Sequence, residues 1–268
     1  VRSAREPSEL RSQRDGARRA IPWEKLDAAG LDVAKRTLVG KTWRERMRQE
    51  HLAVGAFAML AQELAEIGCD PIVLSLVTRA SADEVRHAEV CRRVAVALLG
   101  ASAVPARFRG LPKIPAHVGA TRETRALLHV VEMCCLSETL TGVYFTEMLA
   151  RATNEGARAV LESLLEDEID HGRVGWAYLA DRARTKSTDG LAAALPQLLE
   201  RTVGRALIGN RSSGGPDDRT MEAFGYIGGD TSAEIFRRTL RDVIFPGFET
   251  LGVDIGPGVA VARSGGWV

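Results

Sequence analysis

The sequence predicts an all-α fold in which four long helices form a bundle, with a long crossover between the second and third and further helices after the fourth. Three observations lead there. Of the 268 residues, 45 % are apolar but only 5 % aromatic, and the β-branched and aromatic clusters that mark strands are scarce. Apolar residues recur at helical spacing over four stretches of roughly 25–30 residues each. Short turns separate these stretches except in the middle, where a Pro-containing segment carries no period.

Residues 1–41 read as an N-terminal arm whose basic run, 2–19, is expected to be solvated. The first helix is expected over 42–67, with Trp43, Met47, Val54, Phe57, Ala61 and Leu64 at helical spacing and Gly68 closing it. The second runs over 71–99, with Pro71 tolerated in its first turn. The third is expected over 121–152 and the fourth from about 154 to 183. Within each pair the connection is a few residues, which makes two antiparallel hairpins. Between the pairs, 100–119 contains Pro105, Pro112 and Pro115. About 20 extended residues reach about 60 Å, longer than a 30-residue helix, so the segment can cross the length of a bundle. The bundle is placed at 42–184. Residues 185–268 are expected to be a helical extension packed on it, with helices over 191–208 (Pro196 in its first turn or kinking it) and 231–244 (capped by Asp230 or Thr231), a loop at 210–219, and an irregular Gly-rich tail after Gly247.

The net charge of +1 gives no field that would draw nucleic acid or an anionic membrane. Cys69, Cys91, Cys134 and Cys135 have neither zinc nor disulfide spacing, and all four are expected to be buried, reduced thiols. No stretch reaches the roughly 20 uninterrupted apolar residues of a membrane span, and no signal-peptide region opens the chain. A cytoplasmic protein is the expectation.

The two hairpins repeat each other. EHLAVGAFAML begins at Glu50 and ETLTGVYFTEM at Glu138; DEVRHAEV begins at Asp83 and DEIDHGRV at Asp167. Asp-Glu-x-x-His-x-x-Val therefore occurs twice, each copy preceded by a lone Glu on the previous helix. Residues three apart share a helix face, so Glu84 with His87, and Glu168 with His171, can each grip one ion. Each motif Glu keeps an oxygen for a second ion, and Glu50 and Glu138 complete the two spheres. Their helical neighbours are apolar, and carboxylates aimed into such surroundings are costly unless paired, protonated or bound to metal. One Glu-x-x-His is commonplace on a solvated face. Two among five His arise by chance about once in 20 sequences of this composition, and the repeated flanks lower that further. Carboxylates with imidazoles suit iron or manganese. On the third helix Glu132 and Glu138 lie about 120° apart, so only one is expected to reach the centre. Glu138 is preferred for its repeat partner and for its small neighbours Thr141 and Gly142. Glu147 should lie on another face, His51 and His129 outside the site, and His117 on the surface.

On these motifs the chain resembles the ferritin-like di-iron carboxylate superfamily over about 42–183. That group spans ferritins, rubrerythrins, the small subunit of ribonucleotide reductase, acyl-carrier-protein desaturases, bacterial multicomponent monooxygenases and arylamine N-oxygenases. The resemblance implies a ferritin-like four-helix bundle holding two Fe ions, with Mn possible. It implies Glu50, Glu84, His87, Glu138, Glu168 and His171 as ligands, with Glu84 and Glu168 bridging. It also implies that Asp83 and Asp167 orient the ligand histidines from behind. Two departures stand out: Asp170 replaces the Arg of the Asp-Glu-x-Arg-His form, and Leu164 stands where arylamine N-oxygenases carry an extra His.

The expected function is a di-iron oxidoreductase that uses dioxygen to hydroxylate, N-oxygenate or desaturate a small organic substrate. An electron-donor protein and a homodimer are the expected partners, with no role for nucleic acid or membrane. The alternative is a ferroxidase or iron-handling protein without organic substrate; a third reading keeps the metal for stability alone. The roughly 80 residues after Arg184 favour the enzyme, as a lid over a pocket, although a dimer interface accounts for them equally. Ala53, Gly55, Thr141, Gly142 and Gly172 are candidates for leaving room near the ions, with Phe57, Phe145 and Tyr144 bounding an apolar cavity.

Overall fold

A computed structural model describes residues 20–185, 188–207 and 215–268. The basic run 2–19, residues 210–214 of the expected loop and the expected helix end at 208 lie outside these. The described residues contain helices and no strand, as the composition requires.

The first helix, α1 (Val33–Glu66), begins nine residues earlier than expected, so the arm ends before 33 and not at 41. Asp32 supplies the reason: its side chain accepts from the Lys35 amide as an N-cap, satisfying a donor that a helix start otherwise leaves unpaired. Gly40 lies inside the helix because a Cβ there would stand 2.5 Å from the Leu99 side chain. Helix α2 (Pro71–Leu99) is capped by Asp70, whose carboxylate accepts from Ile72 and Val73. The turn between them carries Gly68 at φ 66°, the left-handed region glycine tolerates best. Cys69 sits in this turn, half-buried. The expectation of four buried cysteines therefore fails there, while Cys91, Cys134 and Cys135 are buried and all four are free thiols.

From Gly100 the crossover climbs along α1. Phe108 meets the His51 ring, Pro112 packs on Gly55, and the Pro115 carbonyl accepts from His129 Nε2 at 2.8 Å. It delivers the chain to the far end of α1, where Arg125 and His129 both bind Glu63. Helix α3 (Arg122–Arg151) then runs back antiparallel to α1, until Phe145 and Met148 reach Arg46. Within α3 the stretch Val131–Glu138 is a π-helix. Helix α4 (Glu155–Thr185) returns beside α3, and Gly175 lets the two approach until a Cβ would stand 2.6 Å from that of Cys134.

Of the described helices, α3 is long and apolar enough by composition to cross a membrane, yet 56 % of its most apolar window is buried inside the protein. Its hydropathy is that of a helix covered on several sides. Part of that cover is the C-terminal segment. Helix α5 (Asp189–Leu199), continuing as a π turn over Glu200–Gly204, sends Leu191, Leu195, Leu198 and Leu199 into the same apolar cluster as Ala126–Leu136 of α3. After the short α6 (Arg219–Glu222) comes α7 (Gly229–Thr239). It starts two residues before the expected 231, with Gly228 as N-cap, and Asp217 takes the Thr231 hydroxyl. A π turn, Leu240–Ile244, carries it on into Phe245–Thr250. Helix α8 (Gly256–Ser264) follows. The expectation of an irregular tail after Gly247 is thus wrong: Phe248, Val253, Ala262 and Trp267 belong to the core, and that burial overrides the poor helix propensity of its glycines.

Candidate metal centre

The faces of α2 and α4 that meet carry the two Asp-Glu-x-x-His motifs. Glu84, His87, Glu168 and His171 are each no more than 1 % exposed, Glu50 of α1 is 7 % exposed, and Glu138 of α3 is half-buried. The six form two overlapping groups whose nitrogen and oxygen atoms lie within 4.8 Å of one another: Glu50, Glu84, His87 and Glu168 in one, and Glu84, Glu138, Glu168 and His171 in the other. Glu84 and Glu168 belong to both.

Their oxygens are divided between the groups. His87 Nδ1 lies 3.5 Å from Glu84 Oε2 and 3.2 Å from Glu168 Oε1. His171 Nδ1 lies 3.1 Å from Glu84 Oε1 and 3.5 Å from Glu168 Oε2. Each motif carboxylate therefore offers one oxygen to each side, the disposition of a bridging ligand. Both Nδ1 atoms, both Glu168 oxygens and Glu84 Oε2 are buried without a hydrogen-bond partner. Orphaned polar atoms of this kind are rare in proteins and each calls for an explanation. A group that accepts nitrogen and carboxylate lone pairs supplies one, so the residues present fit metal ions.

The electrostatics agree. Burial, then the charge of Glu84, pushes the Glu50 carboxyl up to about 8. Burial, then Glu168, raises Glu138 well above the carboxylate range. Burial would raise Glu84 and Glu168 too, but the two imidazoles beside them outweigh it and hold both low. Burial opposes the charge on His87 and His171; the surrounding carboxylates win and lift both well above the usual value. Without metal the centre thus retains protons on both histidines and on Glu50 and Glu138. Those are the positive charges that two divalent ions would bring.

Behind the ligands the two motifs cross over. Asp167 of α4 meets His87 Nε2 of α2 at 3.2 Å, and Asp83 of α2 lies 3.6 Å from His171 Nε2 of α4. Asp167 thereby orients the imidazole of the first motif and turns its Nδ1 inward, whereas the longer approach of Asp83 leaves His171 Nε2 without a hydrogen bond. A guanidinium holds each Asp. Arg86 binds Asp167 and both the hydroxyl and the carbonyl of Ser163, and together with His87 it overcomes burial to bring Asp167 down to about 2. Arg79 binds Asp170 at 2.7 Å and lies 3.5 Å from Asp83. The second motif lacks its own Arg because Asp170 receives one from a turn before the first motif. The sequence signal is the exchange of Arg86 for Asp170 inside the motifs together with that of Arg79 for Ser163 at the equivalent position five residues before each motif Glu.

The remaining candidates fall outside. Glu132 pairs with Arg201 at 2.7 Å, and Glu147 with Arg151 and Arg238. His129 is held by Glu63 and Pro115, and the His51 ring meets that of Phe108 at a tilt of 50°. His117 is half-buried against the His129 ring, so its expected surface position is corrected. Gly55 makes room for Pro112 and not for the ions. A Cβ on Gly142 would meet nothing within 4 Å, and one on Gly172 would stand 3.8 Å from Thr139. Phe57 packs on the His171 ring, Phe145 faces Arg46, and Tyr144 bonds Ser232.

Fold and site together define an all-helical protein with a buried carboxylate–imidazole cluster able to hold metal. No protein-family model, curated protein or solved structure matches this chain.

Proposed function

We propose that this chain is a ferritin-like di-iron protein, with manganese as the alternative metal, and that it oxidises a small organic substrate with dioxygen. The observation that carries the reading is the sharing of Glu84 and Glu168 between two ligand groups that each end in one imidazole. Four carboxylates balance the charge of two divalent ions, and oxygen and imidazole donors suit iron and manganese over softer metals. Such a pair of ions, when bound, supplies electrons to dioxygen. The hairpin, crossover, hairpin order of α1–α4, with its crossover climbing along α1, supports the ferritin-like connectivity. Asp83, Asp167, Arg79 and Arg86 serve the same centre by fixing the imidazoles. Glu138, the half-buried ligand, beside the open space at Gly142, marks the side from which a substrate reaches it.

The C-terminal helices favour the enzyme over a ferroxidase. They share the apolar core of α3, and they hold Tyr144 through Ser232 and Glu132 through Arg201, so the wall of α3 behind the centre is built against them. Anaerobic loading with Fe(II), metal counting and spectroscopy on exposure to air test the proposal. About two irons per chain are expected, lost when Glu84 or His171 is replaced by Ala; a chain that binds no metal tightly refutes it. Particle size separates the two uses, a hollow cage indicating storage and a dimer an oxidase.

A further inference from the structure

Arg46 is the charged residue for which the centre as described has no use. It lies one turn before Glu50 on α1 and is 8 % exposed. Its guanidinium carbon stands 4.4 Å from the centroid of the Trp43 ring and 5.2 Å from that of Phe145. Nη2 donates to the Met148 sulphur at 3.3 Å, and Nη1 is buried with no hydrogen-bond partner. Among the described residues no carboxylate forms an ion pair with it. An arginine does not shed its proton. Burying an unpaired charge costs more than two ring faces and a thioether return.

Resting on the di-metal reading, we propose that Arg46 is the anion-binding end of the substrate site, and that the substrate is a small carboxylic acid with an apolar body. Its carboxylate pairs with Nη1, and its carbon chain rises about 6 Å, one helical turn, towards Glu50 and the ions. The space for that chain lies along α3, where Glu138, Gly142 and Phe145 follow one another on one face and a Cβ on Gly142 would meet nothing within 4 Å. Met148, unbranched and held to Arg46 only through its sulphur, is the side chain that yields when a carboxylate arrives.

The test uses the full chain loaded with Co(II), whose visible absorption reports on its surroundings, after the cobalt has been counted. Hexanoate and its neutral analogue hexanol are titrated into the wild type, Arg46→Met and Arg46→Lys. Hexanoate is expected to change the wild-type spectrum saturably and hexanol not to. Arg46→Met should bind about two cobalt ions, keep its helical circular dichroism and bind hexanoate at least tenfold more weakly, the usual scale for losing a charged hydrogen bond. Arg46→Lys, which retains the charge, should recover part of that loss. Equal titration of wild type and Arg46→Met would place the carboxylate on the ions themselves and overturn the proposal. So would hexanol titrating as well as hexanoate, or a wild type that does not respond. A wild type that takes up no cobalt overturns the di-metal reading first, and the assignment of Arg46 with it.

Discussion

Replacing Glu50 by Gln should make the metal-free protein more stable in alkali and no more stable in acid. Glu50 is buried beside Glu84, and its carboxyl stands at about 8 in place of the ordinary 4.5. A group whose folded value is raised contributes stability that is fully present below the unfolded value and is lost as pH rises through the folded one. For Glu50 the window runs from about pH 4.5 to about pH 8. At about 1.4 kcal/mol per pH unit the rise corresponds to about 5 kcal/mol. That is a ceiling, because His87 and Glu84 change their own protonation in response, and the gain is expected to be smaller. Gln resembles the protonated Glu, so it escapes the loss. Urea unfolding of both chains in the presence of a chelator, at pH 5, 7 and 9, measures this. The two stabilities should agree near pH 5, with the variant pulling ahead by pH 9. With excess divalent metal at pH 7 the order should reverse, because the variant lacks one ligand. A constant difference from pH 5 to pH 9 would refute the reasoning that Glu50 is protonated in the metal-free fold.

Other perturbations follow from the same geometry. Because protons stand where metal charge would be, loading divalent metal at pH 7 should release protons, up to four per chain; a weakly buffered titration with no release contradicts the protonation pattern. Glu132→Gln should leave metal stoichiometry unchanged, since Glu132 is spent on Arg201, whereas Glu138→Gln should lower the affinity of one of two ions, as read by competition with a chelator. Asp167→Asn should weaken metal binding about 10–100-fold, the usual effect of removing a group that orients a ligand histidine. Arg79→Met should weaken the other ion in the same assay, and equal affinities in variant and wild type would deny Arg79 its part. Gly175→Ala should cost about 1–3 kcal/mol in thermal or urea unfolding, since the new methyl would stand 2.6 Å from Cys134 Cβ and 2.8 Å from the Cys135 amide nitrogen.

The sequence by itself determined the helices and the residues that meet. Helical period, Gly and Pro punctuation and the repeated hairpin are local patterns, and the i, i+3 spacing of Glu84 with His87 and of Glu168 with His171 already sets each pair on one face. That Glu138 joins the buried cluster while Glu132 pairs elsewhere was legible too, from the register of Glu138 with Glu50. Less legible were the limits set by packing: the early start of α1, where Gly40 is needed against Leu99, and the helical tail, whose glycines serve close contacts that no propensity foresees. The tertiary structure alone decided the pairing between helices. Asp167 meets the His of the opposite motif, Asp170 takes the Arg that its own motif lacks, and Arg46 is left between two rings without an anion. These depend on the rotation and height at which α1, α2, α3 and α4 pack. Sequence distance carries no record of either, because contacts between side chains 80 or more residues apart are set by the whole core at once.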